Sequence, residues 1–317
     1  MSHFIFQRLF HTLLVLLAIS FITFFIMYKA GDPVQLLLPP DATQAQVLQM
    51  RHTLGLDGSF LTQYKSFLLQ LSHGNLGKSF LYGEPALKVV LERLPATLEL
   101  ALLAMFFAVL IGIPLGVTAA VKKGKWQEKT IMFFSLTGIS IPVFWIAMVL
   151  VLLFSVQYDL LPSSGRGEVY LFTSALTWDG IRHLIMPVAT LTLFQLALII
   201  RMTQNGMHEV LGQTYITFGY ARGLPEHQIV YKHALRNTLI PLVTVIGLQF
   251  GQLIAFTIVT ETIFAWPGTG KLIIDSIQNL DRPVVVAYLL VIALIFVTIN
   301  FIVDLLYTLI DPRVALQ

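Results

Sequence analysis

Long apolar runs dominate the pattern of the chain. A bilayer core of about 30 Å requires roughly 20 mostly apolar residues of helix to cross it. Backbone polar groups in lipid must pair within the protein, and barrel strands need only about 10 residues of alternating polarity, so runs of this length are helices. Six runs qualify: Leu9–Tyr28, Leu100–Val121, Ile131–Val156, Leu184–Met202, Leu239–Thr262 and Val284–Leu309. The pattern predicts an all-α, polytopic membrane protein with six transmembrane helices.

The first run also has to be compared with a secretory signal peptide. Its apolar stretch is longer than a typical signal core, and the segment Tyr28–Gly31 that follows lacks the small-x-small pattern of a cleavage site. We therefore expect this run to be retained as the first span.

Composition supports the same class of protein. Only 12% of the 317 residues are charged and 56% are hydrophobic, whereas soluble domains average roughly 25% charged residues. This excludes a disordered chain and argues against an ordinary soluble enzyme. The chain has no cysteine, which excludes disulfides and thiolate chemistry, and its net charge of +3 is too small to indicate nucleic acid as a partner.

The distribution of lysine and arginine predicts the orientation, because cytoplasmic flanks carry an excess of both. One set of short flanks holds Arg8, Lys122, Lys123, Lys125, Lys129, Arg201, Arg222, Lys232, Arg236 and Arg313, and the opposite short loops hold Arg166, Arg182, Lys271 and Arg282. Both termini are therefore predicted to be cytoplasmic, and the loops at 29–99, 157–183 and 263–283 are predicted to face outside.

The outer segment 29–99 has a pattern of its own. Apolar residues recur there at helical spacing, and Gly55 and Gly74 lie where helices commonly end. The recurring positions are Val47, Met50, Leu54, Leu61, Tyr64, Leu68 and Leu71. We expect two short amphipathic helices over the outer mouth, either as a cap packed on the spans or as a docking surface for an external partner.

The cytoplasmic segment 203–238 is far longer than a connection between two helices requires. An apolar stretch at 215–221 ends at Arg222, and Gly223–Glu226 combines a helix-ending glycine with a proline and an acid suited to the first turn of a new helix. An amphipathic helix leading to Pro241 is expected after it. An exposed apolar patch on this side indicates a partner surface; the alternative is an interfacial helix lying on lipid.

Residue patterns for catalysis are missing. Pro267–Lys271 resembles the end of a phosphate-binding loop. That motif requires glycine at position 265 and Ser or Thr at position 272, whereas this chain has Ala265 and Leu272. The eight histidines are scattered without metal-ligand spacing, and there is no nucleophile elbow. We therefore predict no catalytic residues, no metal site and no nucleotide bound by this chain.

Polar residues within the spans are functional candidates because they are costly in lipid. Gln195, Gln249, Gln252 and Asn300 either line a polar translocation route or join helices to one another. Asp304 lies near the cytoplasmic end of the last run and is predicted to have a structural role, for example in a pair with Arg313. Carboxylates and histidines are scarce in the spans, which favours an energy source outside the chain over proton coupling.

An ordered set of short motifs resembles the inner-membrane permeases of bacterial ABC importers for dipeptides, oligopeptides and nickel. The resemblance covers nearly the whole chain. Its motifs are Gly31-Asp32-Pro33, LGLD at 54–57, GNLGKS at 74–79, LPATLEL at 94–100, SIPVFW at 140–145, ARGL at 221–224, HALRN at 233–237, ETIFAWPGTG at 261–270 and DLLYTLIDPR at 304–313.

The resemblance implies a single permease domain over 1–317, of the type I importer fold, in a bacterial inner membrane. It also implies the partners: a second similar permease subunit, two cytoplasmic ABC ATPase subunits and a periplasmic substrate-binding protein. ATP and Mg would be held by the ATPase subunits, and this chain would bind no cofactor of its own.

The resemblance further implies a docking role for the cytoplasmic segment. Importer permeases carry a Glu-Ala-Ala-x-x-x-Gly motif whose short helix docks on the ATPase. Aligning its glycine with Gly223 replaces the Glu and both Ala by Thr217, Phe218 and Gly219. The candidate coupling residues are Thr217, Phe218, Gly219, Tyr220, Ala221, Arg222, Gly223 and Leu224.

The resemblance therefore implies that the chain forms half of a translocation pathway for di- or oligopeptides, with nickel or a metal chelate as the alternative substrate. Two other classes of protein remain as alternatives, namely a self-sufficient secondary carrier and a membrane scaffold that transports nothing.

Overall fold

The computed structural model of the chain describes residues 2–39 and 41–310. Every regular element in these residues is helical, and the β pairing among them consists of two isolated antiparallel bridges. The helices are α1 (Ser2–Ala30), α2 (Val34–Leu37), α3 (Gln44–Thr53), α4 (Phe60–Ser72), α5 (Ala86–Val121), α6 (Trp126–Ser140), α7 (Val143–Leu150), α8 (Trp178–Leu211), α9 (Thr214–Ala221), α10 (Arg236–Ile263), α11 (Thr269–Gln278) and α12 (Arg282–Ile310). Two π-helical segments, Val151–Gln157 and Gln228–Leu235, continue α7 and precede α10.

Five of the described helices are long and apolar enough to cross a membrane, namely α1, α5, α8, α10 and α12. A sixth candidate span consists of α6 and α7 with its π-helical continuation. The prediction of an all-α chain with six apolar spans is thus confirmed, with the bent pair counted as one span.

The third predicted run is not one continuous helix, and that part of the prediction was wrong. The axes of α6 and of the helix formed by α7 and its continuation differ in direction by 100°. The break lies at Pro142, which has no N–H to donate and disfavours helical geometry in the residue before it. Ile141 accordingly has φ −90° and ψ 127°, an extended conformation.

Several helices extend beyond the apolar runs. Helix α5 begins at Ala86 instead of Leu100, and α8 runs from Trp178 to Leu211 instead of Leu184 to Met202. Hydropathy identifies only the part of a helix that is apolar enough for lipid, whereas the helical hydrogen bonds of the backbone continue into the polar flanking residues. The predicted cytoplasmic segment 203–238 is consequently shorter, because α8 takes up its first nine residues.

The chain divides into two compact units. Of the described residues, the first comprises those within 2–97 and 267–298, and the second comprises 98–266 and 299–310. In the first unit, the carboxylate of Asp281, which is fully buried, accepts hydrogen bonds from the Phe80 and Leu81 N–H groups at 3.1 and 3.3 Å and from the Ser79 hydroxyl. This carboxylate fixes the segment between α4 and α5 to the turn before α12.

The two short helices predicted in the outer segment are present as α3 and α4. A capping box between Thr43 and Gln46 begins α3. Their ends at Gly55 and Gly74 are confirmed as well, since both glycines have positive φ, at 67° and 74°.

Helix α4 packs on α1 through aromatic rings. Tyr64 lies with its ring centroid 5.3 Å from that of Phe21, and its hydroxyl is 3.0 Å from the Ser20 hydroxyl. Phe60 contacts the rings of Phe21 and Phe25 edge-on. This contact agrees with the alternative in which the outer helices pack on the spans.

In the second unit, α8 is the central helix. Gly112 and Gly116 of α5 lie close to this helix. The approach leaves no space for a side chain, since a Cβ atom placed on Gly116 would lie 2.5 Å from the Thr203 Cβ. Helix α6 contacts the other side of α8, where the Ser135 hydroxyl donates to the Ala197 carbonyl at 3.0 Å. Small residues at membrane helix contacts permit such close backbone approach.

Candidate functional site

The predicted coupling segment forms a short helix, α9, with a well-defined end. The Gly223 N–H donates to the Tyr220 carbonyl at 2.9 Å, and the Leu224 N–H donates to the Gly219 carbonyl at 3.2 Å. These two bonds constitute a Schellman motif, which requires a left-handed residue after the helix. Gly223 provides it with φ 76°, so the prediction that this glycine ends the helix is confirmed.

One buried residue anchors α9 to the rest of the second unit. Ile216 is 2% exposed and belongs to a core cluster with Met207 of α8 and with Ile229 and Val230 of the second π-helical segment. The Asn237 amide also donates to the Tyr215 hydroxyl at 2.7 Å. The short helix is therefore held from both sides, by the end of α8 and by the start of α10.

Two aromatic residues of α9 are exposed on different sides of the helix, Phe218 away from Ile216 and Tyr220 one turn beyond it. Phe218 is 67% exposed and Tyr220 is 51% exposed, while Gly219 and Leu224 are half-buried. The other candidate coupling residues, Thr217, Ala221, Arg222 and Gly223, are exposed as well. The structure thus brings all eight predicted residues together on one helix and its exit turn.

The two glycines of the segment differ in what they require. A Cβ atom on Gly219 would meet Leu224 and Ile229 at 3.6–3.7 Å, which is ordinary van der Waals contact. Gly219 therefore has space for an alanine, as in the family motif, whereas Gly223 is needed for its backbone conformation.

A cleft of about 280 Å³ lies between the end of α5 and the segment that follows α9, and the sequence did not predict it. Its lining combines the end of α5 with the residues that follow α9, namely Val117, Lys122, Glu226, His227, Val230 and Tyr231 among others. These positions are about 100 residues apart in sequence, so only the fold brings them together.

The candidate translocation residues do not share one environment. Gln195 is 1% exposed and its side-chain amide nitrogen donates to the backbone carbonyl of Gln249 at 3.4 Å, whereas its side-chain amide oxygen has no hydrogen-bond partner among the described residues. Gln252 is exposed, and Asn300 is half-buried. The structure thus joins Gln195 and Gln249 across α8 and α10, and it leaves Gln252 apart from that contact.

Little of the predicted pair formed by Asp304 and Arg313 lies within the described residues. Asp304 belongs to the backbone of α12, but its side chain and the whole of Arg313 lie outside the described residues. Their predicted pairing stays a prediction.

Comparisons with known proteins give the family. Residues 112–316 match the inner membrane component of binding-protein-dependent transport systems, and residues 1–101 match the N-terminal region of the same component. A dipeptide transport system permease protein, DppB, of Escherichia coli is 40% identical, with 99% of each chain covered. A DppB of Alkalihalophilus pseudofirmus is 38% identical over 97% of this chain and 98% of the relative, and a di/tripeptide permease of Pseudomonas aeruginosa is 39% identical over all of both.

A solved structure agrees in fold. The MetNI methionine ABC transporter in an inward-facing conformation has a chain that superposes with a TM-score of 0.55 at 20% identity, over 70% of this chain and 96% of that one. The matches extend over both ends of the sequence and agree with its predicted helical, multi-span architecture. The chain therefore belongs to the inner membrane components, or permease subunits, of binding-protein-dependent ABC transport systems.

Proposed function

We propose that this chain is the permease subunit that forms half of the translocation pathway of an ATP-driven importer for di- and oligopeptides. It pairs with a second, similar permease subunit, receives substrate from a periplasmic binding protein and is driven by two cytoplasmic ATPase subunits, which hold ATP and Mg. It resides in a bacterial inner membrane with both termini in the cytoplasm, as the distribution of lysine and arginine favours.

The observation that carries this proposal is the geometry of α9. A short helix with an exposed apolar side chain suits a groove on a partner protein, and Phe218, on the side of α9 away from the buried Ile216, is 67% exposed. In place of the Glu-Ala-Ala of the family motif, α9 has Thr217, Phe218 and Gly219, so Phe218 adds an aromatic ring to the docking face. The groove of the ATPase partner must therefore be wide enough for a phenylalanine ring.

The anchoring of α9 accounts for the transfer of movement. Ile216 and Leu224 pack on the end of α8 and on the segment that leads into α10. When ATP binding moves the ATPase subunits, α9 moves with them and both spans rock as rigid bodies, opening the pathway alternately to the two sides. Gln195 and Gln249 lie at the contact of these two spans. They are therefore the polar residues best placed to change their contact when the spans move.

Peptides are the proposed substrate because the relatives are named as dipeptide and di/tripeptide permeases. Nickel or a metal chelate is the alternative from sequence, and no specific observation favours it. Comparing a deletion strain with its parent for growth on dipeptides and for growth on limiting nickel distinguishes the two substrates.

The test of the docking role is Gly223→Arg, with Gly124→Arg as the matched control. Both glycines have positive φ, at 76° and 79°, and neither has a neighbouring atom within 4 Å of the position that a Cβ atom would occupy, so the two substitutions cost similar backbone strain. We expect Gly223→Arg to abolish dipeptide uptake by the assembled complex while ATP hydrolysis persists uncoupled, and Gly124→Arg to retain uptake.

Normal uptake by Gly223→Arg at normal membrane levels would contradict the docking role. Uptake by the chain alone in liposomes, driven by an ion gradient and indifferent to ATP, would instead support a secondary carrier.

A further inference from the structure

A tight turn at Tyr170–Thr173, here named the apolar turn, has an uncommon backbone. The Tyr170 N–H donates to the Thr173 carbonyl at 2.9 Å, and the Thr173 N–H donates to the Tyr170 carbonyl at 3.1 Å. The two central residues, Leu171 and Phe172, have φ 48° and 71°. Turns with two left-handed residues usually contain Asn-Gly or Asp-Gly, because bulky side chains disfavour this conformation.

A buried carboxylate holds the base of the apolar turn. Glu99, which is 8% exposed, accepts hydrogen bonds at 2.6 Å from the Thr173 hydroxyl, the Ser174 N–H and the Arg166 guanidinium. The same guanidinium nitrogen donates to the Phe172 carbonyl at 2.7 Å. The surroundings thus enforce the strained conformation, as is typical of segments that are organised for binding.

The side chains of the apolar turn face away from the protein. Phe172 is 79% exposed, Leu171 is 68% exposed and Tyr170 is 60% exposed, and Trp178 at the start of α8 is 75% exposed. An exposed patch of this kind on a fixed backbone indicates an interaction surface.

The charges around the patch favour a protein over lipid as its occupant. Glu168 and Asp179, which are near the patch in sequence, are exposed, although Asp179 accepts the Glu168 N–H at 3.0 Å and lies 3.8 Å from His183. Arg166, the cation at the base of the turn, is paired with Glu99. Carboxylates beside the patch would be costly to carry into hydrocarbon. Among the described residues, no hydrogen bond satisfies the N–H or carbonyl of Leu171, and hydrocarbon would leave both groups unpaired.

We propose that the apolar turn is a docking element for the substrate-binding protein, and that it inserts Leu171 and Phe172 into an apolar pocket with a basic rim on that protein. The inference rests on the proposed function, in which the loop 157–183 faces the periplasm and substrate arrives on a binding protein. Electrostatic complementarity between the carboxylates beside the patch and the basic rim of that pocket would orient the encounter.

The experiment measures the affinity of the purified, fluorescently labelled binding protein of the same transport system for the full complex in lipid nanodiscs. The informative variant is the double substitution Leu171→Asn with Phe172→Gly, because Asn-Gly favours the same turn and removes only the apolar side chains. We expect the double variant, and also Phe172→Ser alone, to raise the Kd for the binding protein at least tenfold. Both should also reduce the stimulation of ATP hydrolysis by the binding protein to the same extent. Trp126→Ser, an exposed aromatic residue predicted to be on the cytoplasmic side, should leave the Kd unchanged.

Wild-type Kd and wild-type stimulation in both turn variants would overturn the proposal. If the same variants kept the Kd but lowered the yield of the chain in membranes, the turn would lie in lipid, which also overturns it. Failure of the proposed function gives a different result, because the unmodified complex would then neither bind the binding protein nor take up dipeptide.

Discussion

The contact of α5 with α8 leaves no space for a side chain at Gly116. A Cβ atom there would lie 2.5 Å from the Thr203 Cβ and 2.8 Å from the Ile200 carbonyl oxygen. Both distances are shorter than side-chain carbons tolerate, and the carbonyl belongs to the backbone of α8, which cannot rotate away as the end of a flexible side chain can. Gly116→Ala must therefore separate the two helices.

The expected magnitude follows from two opposing terms. Overpacking of a well-packed contact costs typically 1–3 kcal/mol, and the upper end applies because one clash is with backbone. Replacing glycine by alanine within a helix returns about 1 kcal/mol. The net loss of about 2 kcal/mol corresponds to a lower unfolding midpoint by roughly 4–8 °C, on the scale of 2–4 °C per kcal/mol for larger domains.

The assay is thermal unfolding of the purified chain in detergent, followed by intrinsic tryptophan fluorescence. Gly138→Ala is the matched control, since Gly138 of α6 also faces α8 but its Cβ position is 3.7 Å from the nearest atom, the Leu193 carbonyl oxygen. We expect the control to unfold at the wild-type temperature or slightly above it, because it gains helix propensity without a clash. Equal midpoints for the two variants would refute the reasoning about the α5–α8 contact.

Three further predictions follow from single contacts. Gly219→Ala should retain coupled uptake in a transport assay, because its Cβ has space against Leu224. Glu99→Gln breaks the buried ion pair between Glu99 and Arg166, whose side chains are 5% and 13% exposed, respectively. Breaking such a pair costs about 3–5 kcal/mol, so amide hydrogen exchange across the loop 166–175 should increase. Asp281→Asn weakens charge-assisted bonds to the segment 79–82, at about 1.5–3 kcal/mol each, and should make that segment susceptible to protease.

Each of these predictions has a contradicting result. Loss of uptake in Gly219→Ala would mean that the partner, not the chain itself, requires a glycine there. Unchanged exchange in Glu99→Gln would show that the loop is held by other contacts, and an intact segment 79–82 in Asp281→Asn would show the same for the first unit.

Features set by local sequence could be predicted. The apolar runs give the spans since length and hydropathy are properties of the segment itself, and Gly55, Gly74 and Gly223 end their helices because each has a left-handed backbone that glycine adopts at little cost. The short helix α9 was predictable for the same reason.

Features that depend on distant partners could not be predicted. Glu99 meets Arg166 and Ser174 across 67 and 75 residues, and its only local signal is an acid directly before an apolar run. The cleft between the end of α5 and the segment that follows α9 has the same origin. The bend at Pro142 was missed for another reason, because hydropathy averages over a window and does not register the backbone restriction that one proline imposes.

The corner between α6 and α7 has a consequence for how the chain is solvated. Fifteen residues of α6 are about 22 Å of helix, too short for a bilayer core of about 30 Å, so a span that begins with α6 reaches the corner before it has crossed the apolar layer. Ser140 and Pro142 are exposed there, next to backbone groups that helix pairing leaves open. Acyl chains cannot satisfy such groups; water or a neighbouring polypeptide must. A copy with this corner surrounded entirely by lipid would therefore be incompletely solvated, so either water reaches the corner or another chain covers it.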